Sequence, residues 1–177
     1  MEVAAELFSR HGYAAVGMDS IGAAAGVTGP AIYRHFSSKA AVLAAVFDTI
    51  IDDVVVPAAA PPAGDPSGRL RSAVVSYATG VAANRQVMAV FVREVHHLPD
   101  TESSRLRDRQ RALVHHWREL LADAQPTWTE QQVRTGVHAA FGLLNSVGTF
   151  TSPLTDQQLA GQLTDLTLGA LGRAGAS

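Results

Sequence analysis

The sequence predicts an all-α protein of about nine helices, a three-helix helix-turn-helix head followed by a larger helical bundle. Three observations carry that expectation. Apolar residues recur at three- and four-residue spacings almost from end to end. No stretch alternates apolar and polar residues as a half-buried strand would. Thr129 with Gln132 and Thr155 with Gln158 have the spacing of capping boxes, each just ahead of an apolar run.

In chain order, residues 2–11 form a helix with Ala4, Leu7, Phe8 and His11 on its core face. Gly12 ends it and Tyr13 returns to the core. Ile21 and Ala25 lie four apart on a second, short helix that stops at Gly26, where a left-handed residue closes the turn and Val27 plugs the space beneath it. Thr28 is a good N-cap for a third helix, and Pro30 is tolerated in its first turn because the missing N–H costs no internal bond there. Ile32 and Phe36 face inward, which leaves Thr28, Gly29, Ala31, Tyr33 and Arg34 to face outward. Ser37 or Ser38 caps a long connecting helix with Leu43, Phe47, Ile50 and Val54 at spacings of four, three and four.

PAAAPPAGDP, residues 57–66, is the one strong Pro/Gly punctuation and predicts a loop near a domain boundary; the division drawn is 1–47 and 48–177. Beyond it, the stripes Leu70–Val74–Tyr77–Val81, Val87–Phe91–Val95–Leu98 and Leu106–Gln110–Leu113–Trp117–Leu120 predict three helices, the last entered through Asp100 or Thr101. Val133–Val137–Phe141–Leu144 and Leu159–Leu163–Leu166 complete the set behind the two capping boxes.

Composition narrows the function. With 177 residues, 47% of them hydrophobic and 17% charged, the chain is long enough for one sizeable core or two small ones. The absence of cysteine excludes disulfide scaffolds and thiolate metal sites and fits a cytoplasmic protein. A net charge of −2 argues against a sequence-blind polycation, so any DNA binding comes from a local patch. Residues 135–155 carry no formal charge, but their polar residues and Pro153 argue for a buried helix at a subunit interface and against a membrane span.

AAELFSRHGY at 4–13, the helix at Ile21 and AAAGVTGPAIYRHFSSKAAVL at 23–43 together resemble the N-terminal domain of the TetR family of transcriptional repressors. The resemblance covers the first quarter of the chain by motif and the remainder by architecture. It implies that Thr28, Gly29, Pro30 and Ala31 open a helix that enters the major groove, that Tyr33, His35 and Lys39 hold phosphates, and that Arg34 does either. With a Thr hydroxyl, methyl groups and Arg34 facing the bases, readout leans on thymine methyls and DNA shape. The chain departs from the family at Val16, Gly17 and Asp19, where Thr, Ser and a basic or polar residue are common. Relatives also carry further residues, often basic, ahead of the first helix. Residues 1–50 hold three basic residues, Arg10, Arg34 and the single lysine Lys39, against Glu2, Glu6, Asp19 and Asp48.

A helix-turn-helix reads few base pairs, so specificity calls for two copies about 34 to 36 Å apart on a palindromic operator. The last two helices are the expected homodimer interface, through Val133, Gly136, Val137, Ala140, Phe141, Leu144, Leu159, Leu163 and Leu166, although the same residues also read as core of one chain. The family implies an effector pocket. Tyr77, Phe91, Trp117, Phe141 and Leu144 are its apolar candidates, with Asn145, His115, His116 or His138 as polar anchors, and the apolar bias favours a small hydrophobic or aromatic effector. His96–His97 and His115–His116 are adjacent pairs that diverge by about 100° on a helix, without thiolates or a dense carboxylate cluster, so no metal is assigned. The sequence has no P-loop, G-x-S-x-G or HExxH, and neither a cofactor nor an enzymatic activity is expected. The resulting expectation is a cytoplasmic, dimeric repressor released from its operator by its effector. The alternative is a small-molecule sensor or carrier whose head no longer binds DNA.

Overall fold

In the computed structural model, residues 1–59 and 64–172 are described. Among them the chain forms nine helices and no strand. The head comprises α1 (Glu2–His11), α2 (Met18–Ala24) and α3 (Gly29–His35). A connector follows, α4 (Lys39–Ile50), which runs on through a π turn (Ile51–Val55) into a last α turn (Val56–Ala59). The body comprises α5 (Pro66–Ala83), α6 (Arg85–Glu94), α7 (Asp100–Ala124), α8 (Glu130–Asn145) and α9 (Asp156–Gly172). Short 3₁₀ turns extend α6 (Val95–His97) and α8 (Ser146–Gly148).

Helix starts follow local chemistry. Ser38 Oγ accepts the Ala41 N–H at 3.1 Å and Asp65 Oδ1 accepts the Gly68 N–H at 3.1 Å. Both capping boxes form: Thr129 N–H donates to Gln132 Oε1 at 2.8 Å and Thr155 N–H to Gln158 Oε1 at 3.1 Å, with each Thr hydroxyl accepting in return. Helix α7 differs from expectation, because extended Pro99 is its N-cap and Asp100 and Thr101 already lie in the first turn. There Asp100 and Glu102 face the positive helix end.

The 57–66 loop expectation is corrected in part. Helix continues to Ala59 because the π turn comes first: Val56 N–H donates to Ile51 O, and Pro57, which has no N–H to give, follows where the ladder is already displaced. Gly80 of α5 presses on that turn, since a Cβ there would lie 2.9 Å from Asp53 O. Residues 60–63 of the expected loop lie outside the described residues.

Two expected core residues of the head face solvent, His11 and Val27, the latter 42% exposed. Val27 turns outward because its backbone fills the space instead. Its N–H donates to Gly22 O at 2.9 Å and its own carbonyl sits 3.4 Å from where a Cβ on Gly22 would be, so Ile21 and Ile32 close the core. Gly22 itself is buried inside α2, at a helix cost of about 1 kcal/mol relative to Ala. Gly26 takes the left-handed conformation expected of it, φ 70°.

One core runs from head to body. Phe8, Leu43 and Phe47 join it at one end and Trp117, Leu121 and Leu144 at the other, all buried. Position 47 lies inside α4, whose backbone passes through without a break. Helix α5 packs along α7 and α9, α6 packs on α1, and α8 lies between α7 and α9. Arg105 of α7 pairs with Asp48 of α4 at 2.5 Å. Among the described residues, no helix is long and apolar enough to cross a membrane.

Candidate nucleic-acid interface and ligand cavity

The turn between α2 and α3 places a small-residue helix start at the surface. Thr28 is the extended N-cap of α3; its carbonyl accepts from Ala31 N–H (2.9 Å) and Ile32 N–H (3.2 Å), while its hydroxyl makes no capping bond among the described residues. Thr28 and Pro30 are exposed, Ala31 is half-buried, and Gly29 begins the helix. Tyr33 is 54% exposed, with Arg34 and His35 beside it and Ile32 turned inward at 4%. Helical spacing therefore sorts this segment as the sequence implied.

Lys39 does not stand free at that surface. Its Nζ donates to Tyr13 O at 2.7 Å and Ala14 O at 3.3 Å and lies 4.3 Å from the Tyr13 ring centroid. Two of its three hydrogens are thus held by the α1–α2 loop, which it fastens to the start of α4. Arg10 pairs with Glu6, leaving Arg34 as the exposed cation on α3. Asp19 is exposed in the first turn of α2, whose N-cap Gly17 has no side chain to cap with.

A second feature lies in the body. Helices α4 to α8 surround a partly open cavity of about 180 Å³ lined by Tyr77, Phe91, Phe141 and Asn145, together with Ile50, Val55, Met88, Leu106, Gln110, Leu113, Val114 and His138, of which Gln110 and His138 lie at its exposed edge. Tyr77 Oη donates to Asn145 Oδ1 at 2.9 Å, and burial pushes the Tyr77 hydroxyl up to about 12. This bond leaves the Asn145 amide hydrogens available toward the cavity. Tyr77 meets Phe141 edge-on at 5.2 Å between centroids, and Phe91 meets Phe47 of α4 at 5.3 Å.

Two of the sequence-derived cavity residues are not in its wall. Trp117 and Leu144 are both 0% exposed and sit behind it, Trp117 against Phe141 at 4.6 Å. They fill the core because α7 and α8 turn those faces toward α5. His115 is exposed and His116 lies on the other side of α7's stripe, so neither anchors this cavity, whereas His138 does line it. The sequence reading missed Met88 and the contribution of the connector, Ile50 and Val55. The signal for Ile50 was the α4 stripe itself, read only as packing.

The expected interface residues are largely interior. Val133, Val137, Ala140, Leu144, Leu159 and Leu163 are between 0% and 5% exposed within a single protomer, and Phe141 lines the cavity. Val133, Val137, Leu144, Leu159 and Leu163 are covered by their own chain and act as its core, whereas Ala140, like Gly136, borders a groove on the outward face. Leu166 stays outside at 59% exposure. Gly136 is half-buried, and a Cβ on it would lie 2.9 Å from the Trp128 ring. The outward face of α8 and α9 holds an open groove of about 700 Å³ along Trp128, Gln132, Thr135, Ala139, Leu143 and Ala170.

A surface-displayed helix-turn-helix, joined by one long helix to a bundle with an apolar cavity, is the layout of a DNA-binding transcriptional regulator that carries its sensor in the same chain. Residues 1–46 match the model of the bacterial regulatory proteins of the tetR family, and residues 63–171 match the tetracyclin repressor-like C-terminal domain. The chain belongs to the TetR family. Among curated proteins none matches the sequence significantly. Solved structures share the fold. The TetR family regulator PfmR from Thermus thermophilus is 23% identical, with 95% of this chain and 96% of that one covered and a TM-score of 0.82. A TetR-family regulator from Bordetella parapertussis is 24% identical, covering 94% and 91%, TM-score 0.80. AibR, solved in complex with isovaleryl coenzyme A and operator DNA, is 21% identical, covering 93% and 94%, TM-score 0.73.

Proposed function

We propose that the protein is a dimeric, cytoplasmic repressor that binds a palindromic operator through α3 and releases it when a small apolar effector occupies the cavity. The observation that carries this reading is the placement of α6, which belongs to both features. Met88 and Phe91 are cavity wall, while one turn further Arg93 Nη2 donates to Ser9 O of the head at 2.8 Å and Glu94 Oε1 accepts the Tyr13 N–H at 3.3 Å. Phe91 also abuts Phe47 on the connector. An effector that displaces Phe91 therefore acts on α1 and α4 together. Operator affinity falls by the effector's differential affinity for the two head arrangements.

On the DNA side, Thr28, Gly29, Pro30 and Ala31 approach bases, and Tyr33, Arg34 and His35 approach phosphates. Lys39 acts chiefly by holding the α1–α2 loop and offers its remaining hydrogen outward. The effector is a single aromatic ring or a short branched acyl group, since a cavity of about 150 Å³ holds a benzene, and the Asn145 amide and His138 supply its polar contacts. AibR, solved with both isovaleryl coenzyme A and operator DNA, supports a chain of this fold that takes a small-molecule ligand and DNA together. The dimer forms through the outer face of α8 and α9, with Ala139, Leu143 and Leu166 in contact.

The test is a fluorescence-anisotropy titration against the DNA upstream of the chain's own gene at two salt concentrations, with scrambled DNA as control. Tight, salt-sensitive, sequence-dependent binding by a dimer is expected. Equal, weak binding to both DNAs would favour instead a sensor whose head has lost DNA binding, the reading that inward Lys39 and the Arg10–Glu6 pair support.

A further inference from the structure

At the end of α6 the backbone leaves helical geometry at Glu94 (φ −115°, ψ −1°) and turns tightly through Val95–His97. The divergence of adjacent helical side chains then no longer separates the two histidines. Their ring centroids lie 4.1 Å apart, and one donor atom from each of Glu94, His96 and His97 lies within 4.8 Å of the others. We infer that Glu94, His96 and His97 form a binding site for a divalent transition-metal ion of the Zn²⁺, Co²⁺ or Ni²⁺ type, placed where the body grips the head.

Three features support the assignment. Two imidazoles and a carboxylate are the donors such ions take, and they disfavour the all-oxygen ions Mg²⁺ and Ca²⁺. Glu94 is a carboxylate with a side chain only 12% exposed, whose partners are the Tyr13 N–H and His97 Nε2 at 3.5 Å; among the described residues no Lys or Arg pairs with it. A charge so placed gains from a cation that stays charged. The His97 ring also stacks on Tyr13, at 4.7 Å and 22°, which keeps it beside Glu94. A tetrahedral ion with bonds of about 2.0 Å needs donors about 3.3 Å apart, so movements of about 1 Å in two exposed imidazoles complete three ligands and leave a fourth position for water.

The ion would join both histidines to the carboxylate that holds the Tyr13 N–H, and so clamp the end of α6 to the α1–α2 loop. Binding itself is independent of the function proposed above; only its effect on DNA rests on that reading. The experiment titrates Co²⁺ into the untagged full-length protein, following the visible absorption of the bound ion, with Zn²⁺ as competitor. One equivalent is expected to bind with tetrahedral-type absorption and to raise the unfolding temperature. His96→Ala/His97→Ala should abolish both effects, Glu94→Gln should weaken binding at least about 10-fold, and His115→Ala/His116→Ala should change neither.

No absorption change, or absorption that survives the His96→Ala/His97→Ala pair, overturns the site. The variants' metal-free melting curves separate loss of ligands from loss of fold. Operator titrations with and without Zn²⁺ form a separate arm. Metal binding without any change in operator affinity would leave the site standing and refute the coupling of α6 to the head.

Discussion

Tyr77→Phe removes one oxygen from the wall of the cavity, and its effect on stability should reverse sign with pH. In the folded protein burial dominates and the hydroxyl bond to Asn145 only partly opposes it, so the group ionises near 12 where an unfolded chain ionises near 10. A folded-state value raised above the unfolded one means that stability is intact below pH 10 and is lost as the pH climbs to 12, because the unfolded chain gives up its proton first. The full loss corresponds to about 2.7 kcal/mol. At pH 8, by contrast, the phenylalanine variant loses the 2.9 Å bond and leaves Asn145 Oδ1 short of a donor, a cost of about 1 kcal/mol. The two effects balance where the unfolded tyrosine is about five-sixths ionised, between roughly pH 10 and 11. Wild type should therefore be the more stable below that range and Tyr77→Phe the more stable above it. Urea unfolding of both proteins at intervals from pH 8 to 11.5 measures this, and the other alkaline titrations cancel in the difference. Parallel curves with no crossing would mean that Tyr77 ionises normally in the folded state and is not enclosed as described.

Further outcomes follow from single contacts. Gly80→Ala adds a methyl 2.9 Å from Asp53 O and 3.0 Å from Val54 Cγ2; overpacking of about 1 to 3 kcal/mol should outweigh a helix-propensity gain of about 1, giving a lower urea midpoint at unchanged slope. Arg34→Ala should weaken binding to all DNA sequences and reduce the salt slope by about 1 while leaving the melting temperature in place. Lys39→Ala should lower the melting temperature as well, because it frees the Tyr13 and Ala14 carbonyls, and a variant with normal stability would overturn that anchoring role. Leu166→Glu, on an exposed position, should leave the monomer folded and shift sedimentation toward it; an unchanged dimer would exclude the outer face of α9 from the interface.

The sequence made legible what depends on spacing along one helix. Capping boxes at Thr129 and Thr155, the left-handed turn at Gly26 and the sorting of Ile32 from Tyr33 are consequences of local geometry, and they need only a few neighbouring residues to be read. What spacing leaves open is the identity of the neighbour across the face. Val133, Val137 and Leu144 share a stripe whether α7 or a second protomer covers it, and here their own chain does. Tyr77 and Trp117 likewise read alike as aromatics on inward faces, yet one lines the cavity and the other backs it. Departures from regular helix were harder still. The π turn beneath Gly80 and the bend at Glu94 both arise where long-range packing overrides local preference, and both lie beside residues that join body to head. Lys39 shows the same point for charge. A lone lysine after a recognition helix suggests a phosphate contact by type, but two carbonyls of a loop 25 residues earlier compete for its ammonium. The basic character of the proposed DNA-facing surface then rests on Arg34, and on how far an approaching phosphate draws Lys39 away from Tyr13.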